Sequence, residues 1–168
     1  MSRPDPAEAF DRHAHDHATC VAEALAAAEE RCARAGARLT ETRRRVLELI
    51  WAAGQPVGAY EILERLAESR GRVAPPTVYR ALDFLIAQGL VHRIERQNAY
   101  VGCVRPGACR AGQFLICRRC GAVAELDGRA IEQALAEEAA ALGFRIEERT
   151  VEVSGLCPVC VAGHGDDG

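Results

Sequence analysis

Long apolar runs are missing from this 168-residue sequence, which excludes a transmembrane helix. The first twenty residues, MSRPDPAEAFDRHAHDHATC, have no apolar core after the arginine and no cleavage-like site. They do not form a secretory signal, so a cytoplasmic protein is expected. There is no Ser/His/Asp set, no phosphate-cradling loop and no open catalytic metal site, so an enzyme is not expected. Repeats at solenoid spacing are absent as well. Lysine is lacking altogether: all 21 basic residues are arginine. Codon usage is the plain explanation, although arginine also suits phosphate and guanine contacts better than lysine.

The length allows one ordinary domain or two small ones. A hydrophobic content of 49% with 27% charged residues is that of a folded soluble chain. The net charge of −3 is unevenly spread. Residues 21–100 carry 12 arginines against 10 acids, residues 101–168 carry 7 against 10, and residues 1–20 carry 2 against 4. That asymmetry is too mild to establish nucleic-acid binding by itself.

Residues 1–18, polar and carrying Pro4 and Pro6, read as a flexible N-terminal arm. From Thr19 to Ala35, Val21, Leu25, Ala28 and Cys32 share one helical stripe, with Cys32 as core packing. Thr40 is placed to cap a second helix opening at Glu41, whose apolar positions run to Gly54. GQPVG reads as a turn, and Ala59 to Ser69 as a third helix. Pro75-Pro76 breaks the chain, and a fourth helix runs from about Pro76 to Gln88. Residues 90–103 then alternate around the turn RQN as a β-hairpin. Helices, a helix-turn-helix pair and a hairpin make a winged-helix domain over residues 19–103.

Residues 104–161 read as a small α/β domain. Short strands are expected over 113–116 and 122–126, and a longer one over 145–153. Between them Gly128 to Leu142 would be an amphipathic helix burying Ile131, Leu135, Ala139 and Leu142. Such a domain is too small to bury a convincing core alone and needs a metal or a second copy of itself. Residues 162–168 read as a disordered tail. The fold class is therefore α+β, an N-terminal winged helix-turn-helix domain with a C-terminal α/β dimerisation domain.

Four of the eight cysteines form two CxxC pairs, Cys117/Cys120 and Cys157/Cys160. Each pair offers two thiolates to one cation, and together they close a tetrahedral zinc site with no open position. A redox dithiol is the alternative. A zinc deaminase would need H-x-E and P-C-x-x-C, and here the proline lies inside CPVC. On the fourth helix Val78, Ala81, Leu82, Leu85 and Ile86 form the buried face. Thr77, Tyr79 and Arg80 then project where a recognition helix meets base edges. An ordinary surface helix would show the same periodicity. His13, His17 and Cys20 would share a helical face as a candidate auxiliary metal site, or belong to solvated, flexible sequence.

PPTVYRALDFL, QGLVHRIE, FLICRRCGAVAEL and GLCPVC together resemble the ferric uptake regulator (Fur) family over about residues 22–161. The absence of a His-rich run before Cys117 looks like its zinc uptake (Zur) branch rather than its iron and peroxide sensors. The resemblance implies a homodimer that binds palindromic double-stranded operator DNA, with Tyr79 and Arg80 contacting bases. It implies two Zn2+ per chain, one structural on the four cysteines and one regulatory. The regulatory ligands match His92, Cys103 and Glu125. No loop histidine is present, so Cys109 is expected in its place, and two thiolates with an imidazole suit zinc better than iron(II). The implied role is a zinc-responsive repressor of zinc uptake genes. The rivals are an iron or peroxide sensor and a structural zinc-ribbon interaction module.

Overall fold

The structure, a computed structural model, describes residues 10, 17–71, 73–104, 112–126, 128–147 and 149–163. It divides into two compact units, Asp11–Cys109 and Met1–Phe10 with Arg110–Gly168. The expected arm and tail fall largely outside the described residues, as do His13 and Cys109.

Among the described residues the first unit holds four α-helices and a three-stranded sheet. Helix α1 (His17–Arg34) begins two residues earlier than expected and carries Arg31 and Arg34 in its last turn, favourably for the helix dipole. Thr40 accepts a hydrogen bond from the Arg43 N–H at 3.5 Å and opens α2 (Glu41–Ala52). Helix α3 (Ala59–Arg70) and α4 (Pro75–Ala87) follow, and α4 accommodates both prolines in its first turn, where no intrahelical N–H is needed. Leu25, Ala28, Cys32, Leu47, Ile62 and Leu82 meet in one core. Ile86, expected on the buried face of α4, is 38% exposed. It lies in the last turn, after Leu85 has completed the seal against the core.

The wing follows from a tight helix ending. Gly89 adopts φ 62°, and the Leu90 N–H returns to the Leu85 carbonyl at 2.9 Å. Strand β2 (Val91–Ile94) then pairs antiparallel with β3 (Ala99–Gly102) through a single 3-10 turn and Asn98, at φ 47°. Part of GQPVG is strand rather than turn: β1 (Val57–Gly58) pairs with β3, Val57 opposite Tyr100, giving sheet order β1-β3-β2. Gly102 carries no side chain because the Trp51 ring occupies that space. A Cβ there would lie 2.4 Å from it.

In the second unit β4 (Gly112–Cys117) is the central strand, antiparallel to β5 (Val123–Glu125) and parallel to β6 (Thr150–Gly155). The parallel pair requires a crossover, which contains α5 (Arg129–Ala141). Strand β6 starts at Thr150 instead of Arg145, because Thr150 pairs with Gly112, where β4 itself begins. The stripe expected to bury α5 is not buried: Leu135 is 39% and Leu142 84% exposed. Periodicity reports a face that wants cover, and among the described residues that face is left unburied. A short helix α6 (Pro158–Ala162), unforeseen in the sequence, ends the described chain.

Candidate metal centre and nucleic-acid interface

Both CxxC pairs are built by the sheet. The β4–β6 register sets Cys117 against Gly155, so the two strands deliver their cysteine pairs to the same end. After Cys117 the chain turns back through Gly121, at φ 72°, with the Gly121 N–H on the Cys117 carbonyl and the Cys117 N–H on that of Ala122. Cys157 opens α6, whose first turn presents Cys160. The four sulfurs lie within 4.8 Å of one another, Cys120 Sγ to Cys157 Sγ at 3.7 Å. A tetrahedral ZnS4 centre with about 2.3 Å bonds has an S···S edge of about 3.8 Å.

The charges point the same way. Burial pushes the Cys117 thiol up, but backbone N–H groups of Cys120, Cys157 and Arg119 outweigh it and leave it at about 6. Cys160 is pushed up to about 12 by burial and by the neighbouring sulfurs of Cys157, Cys120 and Cys117. Crowded thiols cannot all ionise without a counter-charge, and a divalent cation supplies it. The donor set and spacing fit zinc.

His92 and Cys103 belong to the wing. His92 is half-buried on β2 opposite Val101, and burial lowers its pKa below 6.5. The neutral imidazole keeps a lone pair for a metal. Cys103 follows β3 with its N–H on the Leu90 carbonyl, and its side chain is fully buried. Its sulfur lies within 4.8 Å of a His92 ring nitrogen. Cys103 is in the disulfide form here, and can ligate a metal only as the reduced thiolate. Glu125, on β5, belongs to the other unit and is half-buried. Of the candidate auxiliary set, His17 begins α1 and Cys20 is half-buried on it.

On α4, Tyr79 is 52% exposed and Arg80 is exposed, its Nε donating to the Pro76 carbonyl at 3.2 Å. Thr77 is half-buried, its N–H bonded to Ala74. The helix is anchored by its opposite face and by Arg43, whose guanidinium stacks 3.5 Å from the centre of the Phe84 ring. In the winged-helix unit an exposed aromatic stands outside the sequence expectations: Tyr60, in the first turn of α3, is 74% exposed. Its signal was an aromatic off the Ile62/Leu63/Leu66 stripe.

Residues 34–154 match the ferric uptake regulator family. The zinc uptake regulation protein of Escherichia coli (strain K12) is 41% identical over 144 residues, 85% of this chain and 84% of that one. The zinc uptake regulation protein of Mycobacterium tuberculosis (strain ATCC 25618 / H37Rv) is 29% identical over 129 residues, 75% and 96% of the two chains. Among solved structures, a zinc uptake regulator complexed with zinc and DNA gives a TM-score of 0.79 at 40% identity, covering 86% of this chain and 97% of that one. Holo XcZur gives 0.77 at 47% identity, covering 82% and 96%.

Proposed function

The chain belongs to the ferric uptake regulator family, and on that premise we propose that it is a zinc-responsive transcriptional repressor. It binds palindromic operator DNA as a homodimer when zinc-loaded and represses zinc uptake genes, working in the cytoplasm and catalysing no reaction. The observation that carries zinc over iron is the donor chemistry of the wing. A neutral imidazole and a sulfur lie side by side at His92 and Cys103, and β4 carries no histidine. The similarity to zinc uptake regulators, one of them solved with zinc and DNA, supports the same reading.

Each chain holds two zinc ions in this reading. Cys117, Cys120, Cys157 and Cys160 form the structural site. His92, Cys103, Cys109 and Glu125 form the regulatory one, whose zinc contributes a redox-inert charge joining nitrogen, sulfur and oxygen donors. These ligands come from both units, so their affinity for zinc can differ between the arrangement that grips DNA and the one that does not. A few kcal/mol of difference, about 1.4 for each tenfold, is enough for a switch. Arg80 pairs with guanine and Tyr79 packs on neighbouring bases, with Thr77 beside them at the start of the helix. The exposed apolar residues Leu135, Leu142, Phe144 and Val153 support the homodimer, since a second copy would cover them.

The test is a zinc titration of the reduced full-length chain against a selected palindromic duplex, with bound metal counted at each step. DNA affinity should rise at least about tenfold as the second zinc equivalent binds. Affinity that ignores zinc, or responds to iron(II) alone, overturns the reading.

A further inference from the structure

Access to the four-sulfur cluster is lopsided. Cys117 and Cys157 are 1% and 2% exposed, whereas Cys120 is exposed and Cys160 half-buried. Ala122 and Leu156, neighbours of the cysteines in the chain, account for part of this shielding. Among the described residues a further contact comes from far upstream: the side chain of Phe10 packs on the same cluster and is itself half-buried. Phe10 lies outside residues 34–154, the stretch that matches the family, so the contact is no part of that match.

We propose that Phe10 is a lid on the tetrathiolate centre, slowing metal loss and thiol attack from the Cys117/Cys157 side. The inference rests on the reading of the four cysteines as a zinc site. Chelators and electrophiles must reach a thiolate to displace or modify it, so attack rates follow exposure. An aromatic ring covers a large area with few rotatable bonds, and it makes favourable contacts with sulfur. By excluding water it also lowers the local dielectric, which strengthens attraction between thiolates and a cation. The uncovered side, at Cys120, is then the route by which metal leaves and reagents enter.

The experiment compares full-length wild type, Phe10→Ala and Phe10→Leu, each loaded with zinc. Metal release to a chromogenic chelator is timed, and thiol alkylation is mapped residue by residue by mass spectrometry. In the wild type Cys120 should react first. In Phe10→Ala zinc release should be faster by up to about tenfold, with Cys117 and Cys157 gaining reactivity while Cys120 barely changes. Phe10→Leu, which keeps the apolar cover without the ring, should fall between and guards against a misfolded alanine variant. Release rates and labelling patterns alike in all three chains overturn the lid. Wild-type protein without zinc on these thiols overturns the zinc reading beneath it.

Discussion

In the winged-helix unit, α1, α2, α3 and α4 bury leucine, isoleucine and valine side chains against one another, whereas in the α/β unit α5 buries none of its residues. The first unit draws its stability from apolar burial, about 1.5–3 kcal/mol for each large aliphatic side chain removed from water. The second relies on a three-stranded sheet, a small buried set around Phe114 and Ile116, and four sulfurs drawn together at one end. The difference shows where each unit's dependence lies. One buries its helices against one another, while the other leaves α5 unburied and, in the proposed reading, relies on a cation for its cysteines and a second copy against α5.

The sharpest way to break that comparison is to remove one sulfur. Cys117→Ser should abolish zinc at the four-cysteine site and unfold the α/β unit, because structural zinc contributes about 10–16 kcal/mol in small zinc domains. The winged-helix unit should survive. The only tryptophan and all three tyrosines, Tyr60, Tyr79 and Tyr100, lie in it, so near-ultraviolet dichroism should persist while metal content falls. A near-ultraviolet signal lost together with the zinc would show that the units are not independent.

The reciprocal variant is Leu82→Ala, at a fully buried position of α4. It should destabilise the winged-helix unit by about 2–5 kcal/mol in urea titrations and leave zinc on the four cysteines. Arg80→Ala should sharpen the contrast without disturbing either unit. Operator affinity should fall by about 1–3 kcal/mol for each lost guanine pair, with thermal stability and zinc content unchanged. Undiminished discrimination between operator and scrambled duplex in an anisotropy assay would remove Arg80 from the interface.

Acidification should separate the units more gently. Burial keeps the folded pKa of His92 below 6.5, where the unfolded chain already takes up a proton. The neutral ring therefore contributes stability above pH 6.5 that is lost as pH falls below it. His92→Ala should flatten that dependence in the winged-helix unit, measured by tryptophan fluorescence across a pH series of denaturant melts.

How much of this the sequence held depends on whether the signal was local. The four helices of the winged-helix unit carry their own periodicity, caps and proline starts, so their existence and inward faces could be read directly, Ile86 excepted. Strand β1 could not: Val57 and Gly58 are strand only because β3 lies beside them, and a two-residue segment has no period. The start of β6 is hidden for the same reason, since it is set by Thr150 pairing with Gly112, the first residue of β4. The stripe on α5 is legible as a stripe but its exposure is not, because amphipathicity says nothing about what supplies the cover. Of the candidate site residues, the two CxxC pairs were legible because spacing alone encodes a clasp. His92 and Cys103 needed the family resemblance, since neither has a local signature. Tyr60 lies off the Ile62/Leu63/Leu66 stripe, but how far it is exposed is a property of the packed unit.

The parallel pairing of β4 with β6 also sets an order of events on the ribosome. Cys117 and Cys120 emerge with β4, but their partners exist only after β5, the α5 crossover and β6 have been translated. For that interval the nascent chain carries a bare dithiol that must stay reduced, while the four helices upstream already have every residue they need to fold. The four-sulfur cage is thus assembled after the DNA-reading half has been made, and its filling belongs to maturation rather than to synthesis.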